Sequence, residues 1–408
     1  MKYIILVGDG MGDLPLSVLD SRTPLETANT PTMDSLSRNG ELFRLQTIPA
    51  GMQPGSDIAN LSLLGYEPQD FYTGRAPLEA ASMGIELAEG ETAYRCNLVS
   101  LKKNGPDSLI MVDFSAGHIP TAESNILING LQEELGSDIC HFYPGISYRH
   151  LLVYKNDLAD LVTVPPHDYI GSDISEYWKR YLQYPELQFM LESACRLLEN
   201  HPVNKQRMQK GFLPANAIWL WGEGKAPFMP TLKAQFGLKG SLISAVDLLK
   251  GIGIYGGQDI INVEGATGYL DTNYEGKAAA ALEALAHQDF VFVHVEAPDE
   301  AGHQGSIPDK IRAIEDFDSR IVKPIFEGLQ AMASRPDFRL VVCMDHLTPI
   351  SIRTHSADPV PVLLYDSRQQ GVKSGLPYSE KNGERAGILV PGGRQFFSKL
   401  LQRGSETP

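Results

Sequence analysis

The sequence predicts an α/β protein whose mostly parallel sheet, flanked by helices, is interrupted by a smaller α+β inserted domain. Residues 3–7, 290–295 and 340–344 are short β-branched or aromatic runs bounded by Gly, Pro and Asp, the pattern of strands buried on both faces. Each run leads into an acid: Asp9 in YIILVGDG, Asp299 in FVFVHVEAPDEAGH and Asp345 in LVVCMDH. The region between the first run and the other two carries no such acid. One domain, residues 1–88 and 226–408, therefore reads as interrupted by another, residues 89–225.

The first strand is followed by Gly8, Gly10 and Gly12. This resembles a dinucleotide-binding turn, but the spacing is GxGxG and Asp9 would aim a carboxylate at the pyrophosphate. A tight turn beside a metal ligand explains the glycines better. In AGMQPGSDIANLSLLGYEP, Ser56 follows Pro-Gly and precedes a helical pattern, so its hydroxyl is expected at a helix N-terminus, where phosphate binds well. Capping alone would also explain it. The GxSxG elbow of the serine hydrolases is missing around it.

The insert carries strands of its own in TAYRCNLVSL and YRHLLVY. ISEYWKRYLQYPELQFMLESACRLLENHP reads as mostly helical apart from Pro185. NAIWLWGEGKAPFMP combines an apolar strand with Gly and Pro and marks the return to the first domain. Farther on, Gly276-Lys277 resembles part of a P-loop, yet Asp271 stands at the required first glycine and Ala278 follows the lysine, which excludes a Walker site. The tail GSETP reads as frayed.

Chemistry gathers at the strand ends, because ligands of open α/β sheets bind beyond the carboxyl ends of the strands. His303 lies four residues after Asp299, His346 directly follows Asp345, and His355 lies in ISIRTHSADPV. Three carboxylates and three imidazoles form a mixed O/N donor set suited to Mn2+ or Zn2+ and compatible with Co2+ or Mg2+. Six ligands are too many for one catalytic ion that keeps an open position, so two divalent ions are expected. His294, inside FVFVHV, reads as a core or supporting histidine. Arg75, Arg149, Lys225 and Lys250 each sit beside Gly or a tight turn and are candidate anion clamps. His118 and His167 are weaker candidates on loops.

A formal charge of −15 disfavours nucleic acid and anionic membrane as partners. No apolar stretch approaches the roughly 18 residues of a membrane span. The four cysteines have no CxxC spacing, as in a reducing compartment, and the chain opens on a strand, so a cytoplasmic location is expected.

Through VGDGMGD, PGSDIANLSLLGY, YTGRAPLEA, GATGYLDTNYEGKA, VEAPDEAGH, and MDH followed by THSADPVP, the chain resembles the archaeal-type cofactor-independent phosphoglycerate mutases of the alkaline phosphatase superfamily. The resemblance implies an alkaline-phosphatase-like core, with one ion on Asp299, His303 and His355 and the other on Asp9, Ser56, Asp345 and His346. It further implies that Ser56 is transiently phosphorylated and that Arg75 and Lys250 help hold the phosphoryl group. Arg149, Lys225 and His118 are expected to bind substrate, a small phosphorylated metabolite, under a closing insert, with no 2,3-bisphosphoglycerate required. A second reaction stays open: AIWLWGEGKAP and HVEAPDEAGHQG are similar to a bacterial subgroup proposed as homoserine kinases, in which ATP would be the donor at the same metal site.

Overall fold

A computed structural model describes residues 1–402 except 106, 156, 157, 159, 160 and 370; the tail GSETP lies outside the described residues. Its strands are β1 (Lys2–Gly8), β2 (Glu41–Leu45), β3 (Thr92–Lys103), β4 (Leu109–Asp113), β5 (Cys140–Ile146), β6 (Arg149–Tyr154), β7 (Ala217–Gly224), β8 (Gly240–Ile243), β9 (Asp259–Ile260), β10 (Phe290–Val295), β11 (Phe338–Cys343), β12 (Val360–Asp366) and β13 (Leu389–Val390). They form two sheets in two compact units, residues 1–72 with 228–408 and residues 73–227.

The first unit holds an eight-stranded sheet ordered β13-β2-β12-β11-β1-β10-β8-β9. Only β12 runs against its neighbours β11 and β2. β1 lies between β10 and β11 and parallel to both, so the three carboxyl ends that precede Asp9, Asp299 and Asp345 are adjacent. Ile4, Ile5, Leu6 and Val7 are fully buried, and each contributes about 1.5–3 kcal/mol by leaving water. Their burial on both faces fixes the strand in depth, and with it the position of Asp9.

The second unit is an antiparallel sheet, β4-β3-β6-β5, with β7 also paired to β3. Its core surrounds Trp219, which meets Tyr181 edge-on at 5.4 Å. The long stretch predicted as one interrupted helix forms two, Ser175–Tyr181 and Pro185–Asn200. Pro185 opens the second, where its missing N–H costs nothing.

The first unit gives way to the second between residues 72 and 73, before the helix Arg75–Ser82 and not at residue 88. That helix buries Ala76 and Ala80 against Ala93, Leu151 and Val153 of the insert's sheet, so apolar burial assigns it, and Arg75, to the insert. The return, between residues 227 and 228, lies two residues beyond the expected 225. Gly74, at φ +144°, is where the backbone enters this helix, and a Cβ there would lie 2.0 Å from the Glu223 carbonyl oxygen. Gly74→Ala is expected to cost at least about 1–3 kcal/mol from the backbone conformation alone, measured as a lowered denaturant midpoint.

All four cysteines are free, and no helix among the described residues is long and apolar enough to cross a membrane.

Candidate active site

Asp9 follows β1 directly, and its amide donates to the Val295 carbonyl at the end of β10. The next residue, Gly10, has φ +55°, and a Cβ on it would strike both Asp299 Oδ1 and Thr348 Oγ1 at 2.4 Å. Only glycine fits, on grounds of conformation and of space. Beyond β10 the chain enters the helix Ala297–Gln304, with Pro298 in its first turn. Asp299 and His303 are four residues apart there, on one face. Beyond β11 come Asp345 and His346, both fully buried.

The helix Ser56–Leu63 begins at Ser56 after Gly55, and no side chain caps its first turn. The Ser56 hydroxyl lies 3.1 Å from His346 Nε2. Asn60, one turn later, donates to the Ser56 carbonyl at 2.8 Å and to Asp345 Oδ2 at 2.9 Å, so it fastens the serine's helix to the strand-end acid. Asp345 Oδ1 accepts from the Gly10 and His346 amides. His294 is the expected supporting histidine: its Nε2 lies 2.8 Å from Asp9 Oδ2, and burial pushes its pKa down to about 3, so it is neutral.

Two donor groups result, Asp9, Asp345 and His346 in one and Asp299, His346 and His355 in the other. His346 Nε2 lies 3.4 Å from Asp9 Oδ1 and 3.5 Å from Asp345 Oδ2. His303 joins the second group, its Nε2 being 3.2 Å from Asp299 Oδ2 and 2.9 Å from His355 Nε2. All seven residues expected to hold two ions thus lie together in the first unit.

The donors fit divalent cations on two counts. Asp9 Oδ1 is buried without a hydrogen-bond partner, an arrangement costly unless a cation is nearby. Burial, then the neighbouring Asp345 and Asp299 carboxylates, holds its carboxyl well above the usual range in the cation-free protein. At the second group, His303 Nδ1 lies 3.0 Å from the Arg353 carbonyl oxygen and must donate to it. Its Nε2 is then left facing His355 Nε2 and Asp299, where a proton or a cation must stand. Burial raises Asp299, but hydrogen bonds from His303 and His355 outweigh that and hold it well below the usual range.

The hydrogen bond with Asp299 also lifts His303 to about 9. Its ion pair therefore supports the cation-free fold fully below the ordinary histidine pKa of about 6.5. That support is lost as pH rises through about 9. A cation needs the neutral ring, so Mn2+ binding at pH 7 is expected to release at least one proton, with affinity falling about tenfold per unit as pH drops. Calorimetric titration in buffers of different ionisation enthalpy measures that release.

The candidate anion clamps divide between the units. In the second unit Arg95, which the sequence reading passed over, has its guanidinium 4.0 Å above the Trp221 ring and its Nε 3.1 Å from Glu79. Burial, with the positive charges of Arg75 and Arg149 close by, lowers its pKa despite Glu79. Arg149 reaches over Tyr148, which meets His118 edge-on at 6.0 Å. His167 packs edge-on against Trp221 at 5.4 Å, and burial, with Arg95 and Arg75 nearby, lowers its pKa. Arg75, Arg95 and Arg149 thus gather positive charge in the second unit, beside Glu79 and Asp168. Lys225 is exposed just past β7, its carbonyl accepting from the Thr73 hydroxyl.

In the first unit Lys250 pairs with Asp247 at 3.3 Å. Its charge also reaches Lys277, whose Nζ donates to the His294 carbonyl and whose pKa burial lowers to about 8. Lys277 is the lysine dismissed as a false P-loop. Asn60, Thr348 and Arg95 escaped the sequence reading, although Asn60 stands one helical turn from Ser56 and Thr348 two residues from His346.

A model of the 2,3-bisphosphoglycerate-independent phosphoglycerate mutase family matches residues 37–204. A protein of Geobacter sulfurreducens named as a probable mutase of this kind is 48% identical over 99% of this chain and 100% of its own length. A Methanosarcina acetivorans mutase of the same name is 50% identical over 96% of this chain and 100% of its own. Among solved structures, the cofactor-independent phosphoglycerate mutase of Thermoplasma acidophilum superposes with a TM-score of 0.64 at 27% identity, covering 99% of this chain and 100% of that one. The PH0037 protein of Pyrococcus horikoshii does so at 0.80 and 29%, covering 100% and 99%. Identity of about half, sustained across both units and the whole length of these relatives, leaves one assignment: the chain belongs to the 2,3-bisphosphoglycerate-independent phosphoglycerate mutase family.

Proposed function

We propose that this enzyme interconverts 3-phosphoglycerate and 2-phosphoglycerate through a phosphoserine on Ser56. The observation that carries the reading is the Ser56 hydroxyl, 3.1 Å from His346 Nε2 at the edge of a buried set of carboxylates and imidazoles. Asp9, Ser56, Asp345 and His346 would hold one divalent ion and Asp299, His303 and His355 the other, with Mn2+ best suited to this mixed donor set. When bound, such ions lower the serine's pKa and offset the charge of the transferring phosphoryl group.

Ser56 Oγ forms a bond to phosphorus as the bond from phosphorus to the C3 oxygen breaks, and in net the serine proton passes to that oxygen. Glycerate then turns over. Its 2-hydroxyl oxygen takes the phosphoryl group back, and in net the 2-hydroxyl proton returns to Ser56. No nucleotide and no 2,3-bisphosphoglycerate enters this cycle.

The serine stands at the first residue of its helix, where the helix N-terminus would favour the negative charge of a phosphoryl group. Asn60 keeps that helix turned toward Asp345 through both half-reactions. Arg75, Arg95 and Arg149, with His118, are assigned to the anionic groups of the substrate, and Lys225 and Lys250 to supporting charge. Arg75 acts here as an anion clamp of the inserted unit. Water must be kept from the phosphoserine through the cycle, because its attack there would yield a phosphatase.

Phosphorus NMR of the manganese-activated protein, with the ion added at substoichiometric level to limit paramagnetic broadening, tests the reading. 2-Phosphoglycerate should appear from 3-phosphoglycerate without added nucleotide. Formation of O-phosphohomoserine from ATP and L-homoserine, with phosphoglycerate unchanged, would replace the mutase by the kinase.

A further inference from the structure

Thr348 is fully buried and touches both donor groups. Its Oγ1 donates a short hydrogen bond to Asp299 Oδ1, in the group that includes His355, and lies 3.2 Å from His346 Nδ1. A threonine has one hydroxyl proton, and a carboxylate oxygen has none to give. With that proton given to Asp299, the Thr348 oxygen can only accept at its second contact, so the hydrogen shared with His346 belongs to Nδ1. His346 is then the Nδ1–H tautomer, and the lone pair of Nε2 faces Ser56 Oγ, Asp9 Oδ1 and Asp345 Oδ2.

The threonine has little room to do otherwise. Its amide donates to the Gly12 carbonyl, and its own carbonyl accepts from Lys310 Nζ at 2.8 Å. On two sides it meets glycines, Gly10 and Gly302, where any Cβ would collide with it. A side chain clamped in this way has its hydroxyl direction set before any ligand arrives.

We propose that the Thr348 hydroxyl sets the tautomer of His346 and so links the two donor groups, making Thr348 a positioning residue for the nucleophile's surroundings. Without the hydroxyl, Nδ1–H would lose its acceptor, and the tautomer that points a proton at Ser56 and the two aspartates would become competitive. Metal-binding histidines depend on such outer partners, whose loss typically weakens binding about 10- to 100-fold. The inference rests on the two-ion reading, but the tautomer can be read without turnover and without metal.

The test is a 15N NMR experiment on the full-length protein with labelled histidine, before and after zinc, with His346 assigned by the signal lost in His346→Gln. Wild type is expected to show protonated Nδ1 and unprotonated Nε2 in the metal-free protein and to keep Nδ1–H when zinc is bound. Thr348→Val should populate Nε2–H and weaken zinc binding about 10- to 100-fold, while Thr348→Ser keeps the wild-type pattern and affinity. Protonated Nε2 in the metal-free wild type overturns the proposal, even if the valine variant does not fold. So does a folded valine variant with an unchanged pattern, or a serine variant that behaves like valine.

Discussion

Ser56→Ala is expected to lower kcat about 10^4-fold or more, in line with removal of the nucleophile from other covalent enzymes. Phosphoglycerate interconversion should disappear, and so should any acid-stable phosphorylation of the protein seen by mass spectrometry. The fold should be retained. The serine makes no side-chain cap to its helix, and Asn60 still holds that helix through the backbone carbonyl at position 56 and through Asp345. Metal binding should weaken only modestly, because three charged or imidazole donors remain in the same group. A variant that kept full turnover would remove the double displacement from this enzyme. One that lost turnover together with both metal equivalents would show the residue to be structural.

The largest expected effect on stability is at Lys310. Its side chain is fully buried, and its ammonium donates to Asp13 Oδ2, the Gly12 carbonyl and the Thr348 carbonyl, each at 2.8 Å. Asp13 is as deeply buried and also accepts from the amides of Leu14 and Ile350. Three segments therefore meet at one charge: the turn after β1, the loop after β11, and the helix Ile307–Phe317 that carries the lysine. Lys310→Met should cost about 3–5 kcal/mol, because it leaves the Asp13 charge buried without its counterion. Denaturant unfolding of metal-free protein measures the loss. Glu380, whose carboxyl burial raises to about 7, accepts from the Asp13 amide and extends the same network. A near-neutral effect would mean that water or another cation reaches Asp13.

How much could be read in advance differed from residue to residue. The strand runs before Asp9, Asp299 and Asp345 were legible because a strand buried on both faces must be apolar throughout and the ligand after it must be polar. The Asp299–His303 pair was legible because a spacing of four residues has one meaning on a helix. Arg75 was recognised as a cation but placed on the wrong side of the unit boundary. Its neighbours Ala76 and Ala80 are small and apolar, and nothing local says which sheet covers them. Lys277 was dismissed on its failed motif, whereas burial beside the His294 carbonyl is a tertiary fact. Arg95 sits in a strand where alternation predicts only whether a side chain is covered, not that an indole and a glutamate receive it.

By itself the sequence determined the class of fold, the chemical types of the ligands and their places at the ends of apolar runs, and the serine at the start of a helix. These are local properties, set by periodicity, by turn residues and by the few side chains able to bind a hard cation. Tertiary structure alone decided which ligands converge, because β10 and β11 pair with β1 from far along the chain, Phe290 opposite Tyr3 and Phe338 opposite Lys2, and only their parallel pairing brings the three acids to one edge. It also decided the supporting contacts of His294, Asn60, Thr348 and Lys310. A hydrogen bond has a direction and a length, and neither exists until packing has fixed both partners.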